Sequence, residues 1–346
     1  MLVLGAGAWG SAFASRISHG HPQASVHLWG RDVGHVAKLK SSGSNEKYLI
    51  DIKLSDRLIY GSDLVQTVHN WNKSSENKQG LKILVLAVPV SGILEVCSNL
   101  KKIDKMECSC ILWLCKGSMR TSEGVFWPSQ IIKKSFPKFF SLALSGPSFA
   151  EEVARGLPFA LTCAGVNLNY VRKVAKALTC DGLRIYSSND LIGVELAGAM
   201  KNVLAIAAGV CDGMNLGLNA RASLITRGLS ETARLGIALG AKKETFLGLA
   251  SLGDLVLTTT GHLSRNRKVG LRLAECEPLE TILNNLGHVA EGVSTAPLLL
   301  EIAKNMNVEI PITKSVCELL NGKIRPEQAL NNLLSRDLSD ENKSLH

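Results

Sequence analysis

A glycine-rich hexapeptide, Gly5-Ala6-Gly7-Ala8-Trp9-Gly10, follows a run of only four residues, Met1 to Leu4, and constrains the fold more than any other feature of the chain. A short strand that turns at once through such a loop into a helix, here Ser11 to Ser18, is the opening of a dinucleotide-binding βαβ unit. Each glycine has a physical task. Gly5 permits the tight turn, Gly7 lets the backbone approach a pyrophosphate, and Gly10 allows the helix to pack closely, with its first N–H groups facing the phosphates. A second β run, Ser25 to Trp29, arrives where the half-fold needs its second strand, whose tip touches the adenosine ribose. Gly30 and Arg31 stand there in place of an acid, and a guanidinium suits a 2′-phosphate, which favours NADP(H). Asp32 follows and keeps NAD(H) possible, and a solvated surface arginine is the alternative for Arg31.

At 346 residues the chain is long enough for two domains with sizeable cores. Its longest apolar runs, Ile83 to Val90 and Val203 to Cys211, are sized for a strand or a helix, so no membrane span is expected. No basic leader with an apolar stretch stands at the N-terminus, which makes the cytoplasm the expected compartment. Nine cysteines without a CxxC pair, most of them in apolar stretches, read as reduced core thiols, and no zinc or calcium pattern is present, so no metal is expected. An excess of 39 Lys+Arg over 30 Asp+Glu favours anionic partners. Because the basic residues are dispersed and aromatics are only 5%, nucleic acid is not among them, and phosphorylated metabolites are the better fit.

Near-continuous apolar runs at Lys82 to Val88, Cys110 to Cys115, Phe140 to Leu144 and Phe159 to Cys163 read as buried parallel strands. The polar stretch Asn70 to Gln79 reads as a surface loop. This alternation predicts an α/β fold: a Rossmann-type doubly wound sheet domain over 1–188, followed by an all-helical substrate and catalytic domain over 189–338, with 339–346 a disordered tail. Lys116 lies just beyond a strand end, where it could meet a bound phosphate or nicotinamide, or simply snorkel. Asp190 is a suitable N-cap for a helix over Leu191 to Val210 in which Lys201 is the only charge between Leu196 and Cys211. So apolar a surrounding desolvates the amine, lowers its pKa and makes it a usable proton donor; the alternative is a lysine on a narrow solvent stripe or paired with an acid. Arg227, Glu231 and Arg234 fall in a second long helix, Ala220 to Leu239, as a solvated or intrahelical ion network. Asp254 sits in an apolar segment and needs a partner, for which Lys201 is a candidate. Ser264-Arg265-Asn266-Arg267-Lys268 offers a hydroxyl, a fork-shaped cation and an amide in three consecutive positions, either a cradle for a phosphate monoester or a surface basic cluster.

Taken together these residues resemble the bacterial-type NAD(P)-dependent glycerol-3-phosphate dehydrogenase family. The likeness spans most of the chain: GAGAWG at 5 to 10, LWGRD at 28 to 32, AVP at 87 to 89, CKG at 115 to 117, SGPSFAEEVARGLP at 145 to 158, ELAGAMKNVLAIAAG at 195 to 209, GLASLGDLVLT at 248 to 258, HLSRNRKVG at 262 to 270 and AEGVSTA at 290 to 296. Two departures touch loops: Tyr48-Leu49-Ile50 stands where Tyr-Leu-Pro is expected, and Asn72 to Gln79 is a longer polar insert.

The resemblance implies reversible hydride transfer between NAD(P)H and dihydroxyacetone phosphate, giving sn-glycerol 3-phosphate for phospholipid synthesis, in a homodimeric enzyme. It implies Lys201 as the catalytic proton donor or acceptor, with Asp254 orienting it. Lys116, Gly146, Ser148, Asp254, Ser264, Arg265 and Asn266 match substrate-holding positions, with Asn202 an active-site neighbour. Trp9, Arg31, Lys116, Ala150, Arg265, Val289 and Glu291 match cofactor-contacting positions, beside the glycines Gly5, Gly7 and Gly10. The rival readings are another two-domain dehydrogenase of the β-hydroxyacid or 6-phosphogluconate type, and a non-catalytic NADP-binding sensor. The Ser264-Arg265-Asn266 triplet speaks against the first, and Lys201, Asp254 and Arg265 together speak against the second.

Overall fold

A computed structural model describes residues 1–74, 80–286 and 290–329, and the expected tail lies outside them. The chain forms two compact units, one of Met1–Cys115, Pro128–Leu144 and Ser148–Asn189, the other of Lys116–Trp127, Ser145–Pro147 and the residues from Asp190 onward. The strands are β1 (Leu2–Leu4), β2 (His27–Trp29), β3 (Ser44–Asn45), β4 (Leu49–Lys53), β5 (Ile59–Gly61), β6 (Ile83–Leu86), β7 (Cys110–Trp113), β8 (Met119–Thr121), β9 (Gly124–Phe126), β10 (Phe140–Ser145), β11 (Phe159–Ala164) and β12 (Leu183–Ser188). Eight of them make one sheet in the order β12-β11-β10-β7-β6-β1-β2-β5. Pairing is parallel between β1 and its neighbours β2 and β6, and likewise for β2 with β5, β6 with β7, β7 with β10 and β11 with β12.

The order reverses after β1, the switch point at which a doubly wound sheet opens a crevice beyond its strand ends. The helices of this part are α1 (Ala8–Gly20), α2 (Val33–Ser42), α3 (Leu64–Ser74), α4 (Ile93–Lys101), α5 (Pro128–Ser135), α6 (Ala150–Ala154) and α7 (Leu168–Leu178). Val3, Leu28, Val85, Leu112, Leu142 and Leu161 from the strands and Phe13, Ile17, Val171 and Val174 from the helices belong to one buried core. Strands β5 and β12 escaped the sequence reading because they are edge strands, half-exposed or alternating in burial, instead of continuously apolar. The expected loop at Asn70 begins inside α3, where Val68 and the fully buried Trp71 anchor an apolar stripe; Ser75 to Gln79 lie outside the described residues.

From Asp190 onward the described chain is helical: α8 (Leu191–Gly213), α9 (Gly217–Ala238), α10 (Asp254–Thr260), α11 (Arg265–Ala274), α12 (Leu279–Leu286), α13 (Glu291–Asn305) and α14 (Pro311–Leu320), with the β8–β9 hairpin belonging to the same unit. Asp190 caps α8 as expected, its carboxylate accepting from Gly193 N at 2.9 Å, and it also accepts from Lys242 N and the Thr245 hydroxyl. At 23 residues α8 is long and apolar enough to cross a membrane, against the expectation from shorter runs. Most of it is buried among the other helices of its unit, which explains the composition as that of a core helix.

Two corrections follow from packing. Glu231 is not part of a solvated ion network: it is buried and accepts from Ile312 N, Thr313 N and the Thr313 hydroxyl, capping α14, while Arg234 donates to the Glu309 carbonyl. All nine cysteines are free thiols, but only Cys97, Cys110, Cys163, Cys211 and Cys317 are buried, while Cys108, Cys115 and Cys180 are half-buried and Cys276 is exposed.

Helix α11 crosses α8 at backbone contact. A Cβ on Gly209 would lie 2.1 Å from the Arg267 carbonyl oxygen, and one on Gly270 would lie 2.0 Å from that of Ile206. Neither position accepts a methyl group without moving a helix axis. Gly270→Ala should therefore lower the stability of the protein by about 1–3 kcal/mol, measured as a fall in the denaturant midpoint, whereas an unchanged midpoint would mean that the crossing is looser than this.

Candidate active site

A short π-helical segment, Leu249–Gly253, delivers Asp254 to the first position of α10. Irregular helical turns of this kind recur at functional sites because they re-aim one side chain. Asp254 is 1% exposed, and such a carboxylate stays ionised only if it is paired. It is paired twice. Oδ1 accepts from Lys201 Nζ at 2.8 Å, and Oδ2 is engaged by Lys116 Nζ. The partnership with Lys201 was legible in the sequence, and that with Lys116, 138 residues away, was not.

Lys201 also donates to Thr258 Oγ1 at 2.9 Å, and that hydroxyl donates in turn to the Asp254 carbonyl, one helical turn back. Thr258 was missed, although its i+4 spacing from Asp254 on a helix was the available signal. Lys116 donates to the Gly146 carbonyl at 3.0 Å as well. Each ammonium therefore has two partners among the described residues and one N–H still to place.

Burial dominates the electrostatics of Lys201. Desolvation pulls its pKa from the ordinary 10.5 down to about 8, the neighbouring Lys116 charge pulls the same way, and Asp254 opposes both. The amine is thus poised to hold or release a proton near neutral pH, as the apolar helix suggested.

The second part of the site is built where α8, α11 and α13 meet. Asn266 Nδ2 donates to Asn202 Oδ1 at 2.9 Å, and Asn266 Oδ1 accepts from Gly292 N at 3.0 Å. The Asn266 carboxamide is buried and ties three helices together, which leaves one of its N–H groups for a ligand. Ser264 is the N-cap of α11, its Oγ accepting from Arg267 N at 3.2 Å, so its own O–H proton is left to donate. Arg265 opens the helix, exposed and without an ion pair among the described residues. Arg267 is the opposite case: its guanidinium holds Asp212 at 2.6 Å and 2.8 Å, a structural pair that Arg221 shares. The basic cluster of the sequence thus divides into one structural arginine and one available arginine.

In the first unit the glycine loop meets the demands of a dinucleotide. Gly5 has φ +124°, and a Cβ there would approach the Ala87 carbonyl oxygen to 2.6 Å, whereas a Cβ on Gly7 would meet nothing within 4 Å. Helix α1 starts at Ala8 with no side chain capping it, so its first N–H groups are open to an anion. The Trp9 ring stacks at an angle on Phe13 and Phe159, with centroids 5.8 Å and 6.2 Å away. Asp32 is committed as the N-cap of α2, accepting from His35 N at 2.9 Å. Arg31, 81% exposed, makes only a loose surface pair with Glu95 at 3.6 Å. Ser148 and Ala150 belong to this unit, Glu291 is the first residue of α13, and Val289 lies outside the described residues.

A parallel sheet with an open glycine loop, joined in one chain to a helical unit carrying a desolvated lysine, defines a nicotinamide-dependent dehydrogenase. The profile of the NAD-dependent glycerol-3-phosphate dehydrogenase N-terminus matches residues 1–171, and that of the C-terminus matches residues 190–331. The chain is 44% identical to the glycerol-3-phosphate dehydrogenase [NAD(P)+] of Polynucleobacter asymbioticus, over 97% of each chain. It is 45% identical to that of Cupriavidus metallidurans, over 99% of each. The crystal structure of glycerol-3-phosphate dehydrogenase from Coxiella burnetii superposes with a TM-score of 0.87 at 35% identity, covering 97% of this chain and 98% of that one. The chain belongs to the NAD(P)-dependent glycerol-3-phosphate dehydrogenase family.

Asp254 supplies the one charge that opposes desolvation of Lys201. Asp254→Asn should push the Lys201 pKa further below about 8, followed by NMR titration of the labelled amine; a rise, or no change, would contradict the pairing.

Proposed function

We propose that this protein reduces dihydroxyacetone phosphate reversibly to sn-glycerol 3-phosphate with NAD(P)H, NADPH being preferred. The observation that carries the reading is the Lys201–Asp254–Lys116 cluster, a buried carboxylate between two ammonium groups that leaves net positive charge where an alkoxide forms. When bound, the nicotinamide supplies the hydride to C2. Lys201, with its third N–H on the C2 oxygen, donates the proton as negative charge grows there. Asp254 holds that amine in place through Oδ1, and Thr258 fixes its second direction. Lys116 meets the same region as a fixed cation.

The phosphate is held at the start of α11. No acid stands in the first turn of this ten-residue helix, so its N-terminal dipole favours an anion. The exposed Arg265 fork, the Ser264 hydroxyl and the remaining Asn266 N–H are the donors. Fixing the phosphate in this way places C2 for reaction, a positioning effect worth several orders of magnitude in rate. Ser148 and Gly146 complete the set proposed for the substrate.

Gly5, Gly7, Gly10 and the first turn of α1 hold the cofactor diphosphate, with Trp9, Ala150, Val289, Glu291 and again Lys116 and Arg265 proposed as further contacts. Because Asp32 is engaged as a helix cap, Arg31 is the group free to read a 2′-phosphate. A homodimeric enzyme is carried with this reading on the resemblance alone.

Initial-rate oxidation of NADPH and of NADH with dihydroxyacetone phosphate tests the function, and no turnover with either cofactor would refute it. Arg31→Ala should raise KM for NADPH about tenfold and leave that for NADH nearly unchanged; equal effects on both would discard Arg31 as the 2′-phosphate reader. Lys201→Ala should lower kcat by about 10²–10⁴ while NADPH binding, followed by fluorescence, is retained. Near-normal turnover in that variant would remove Lys201 from the proposed role.

A further inference from the structure

The end of β10 holds a polar group that the proton-donor cluster does not use. Ser145 is 5% exposed, and its Oγ makes no hydrogen bond among the described residues. It immediately precedes Gly146, whose carbonyl accepts from Lys116 Nζ. On α8 the facing position is Gly198: a Cβ built there would lie 3.4 Å from Ser145 Oγ and 3.3 Å from Lys116 Cγ. A Cβ at Gly198 would stand at the tight limit of contact with both groups, so it is the bare glycine that lets the serine hydroxyl and the lysine stem lie against α8. A buried hydroxyl with no partner inside the fold calls for one from outside it.

The order of groups along α8 says which part of the substrate that is. Asn202 touches Asn266, which stands beside Arg265 at the phosphate end. Lys201 is at the reacting oxygen. Gly198 lies one turn further toward the N-terminus of α8, and three to four residues of helix rise about 4.5–6 Å, comparable to the reach from a phosphate to the far carbon of a three-carbon chain. We infer that Ser145 Oγ binds the C1 hydroxyl of dihydroxyacetone phosphate, and so selects a hydroxymethyl ketone at the end opposite the phosphate. This rests on the reaction proposed above and adds to it a residue that reads the substrate.

The test compares dihydroxyacetone phosphate with its 1-deoxy analogue, in which a methyl replaces the hydroxymethyl group, on the wild-type protein and on Ser145→Ala at saturating NADPH. The wild-type protein should favour the hydroxylated substrate by at least about tenfold in kcat/KM, because a site built to bond a hydroxyl rejects the analogue lacking it. Ser145→Ala should lose about tenfold on dihydroxyacetone phosphate and little on the analogue, with KM for NADPH unchanged. Its unfolding midpoint should be equal to or above that of the wild-type protein, since the substitution removes an unpaired buried group. Equal losses on both substrates, no loss on either, no wild-type preference, or a variant that is destabilised would each overturn the inference. Failure of the wild-type protein to turn over either substrate would instead refute the underlying reaction.

Discussion

One buried carboxylate holds the charged cluster of this protein together. Asp254 is withdrawn from water, and the energetic penalty of burying an ionised group is met only because Lys201 and Lys116 approach it from two sides. The same arrangement decides the behaviour of Lys201. Without Asp254 a lysine so deeply placed on an apolar helix would lose its proton at a still lower pH, and without burial it would hold that proton more tightly. The balance leaves it near 8, close to where a general acid works best.

The surrounding helices exist to hold that balance still. Backbone contact between α8 and α11 at Gly209 and Gly270 sets the start of α11 against the turn of α8 that carries Lys201 and Asn202. Asn266 then joins α8, α11 and the start of α13 through one carboxamide. The groups proposed for the proton and for the phosphate are therefore fixed to one rigid crossing, which is what a near-attack geometry requires.

Much of this was legible in the residues. The glycine loop, the parallel strands of the inner sheet and the Asp190 cap are local patterns, and local patterns survive into structure. The isolation of Lys201 among apolar residues predicted its desolvation because burial of a long apolar helix leaves no other outcome. What escaped was non-local. Lys116 reaches Asp254 only through chain topology, Arg267 and Arg265 differ only in whether Asp212 lies within reach, and Glu231 looked like a surface charge until α14 was placed above it. Edge strands escaped for a different reason: a strand with one bare side does not need the continuous apolar run that marks a central one.

The most direct measurement is the pH dependence of kcat/KM in both directions of the reaction. In the proposed mechanism ketone reduction needs Lys201 protonated, so its rate should fall as pH rises through about 8, while oxidation of glycerol 3-phosphate needs the neutral amine and should rise through the same value. Mirror-image limbs meeting near pH 8 are the predicted result. Profiles that stay flat until the ordinary lysine range near 10.5 would contradict the claim that this buried amine is the proton donor.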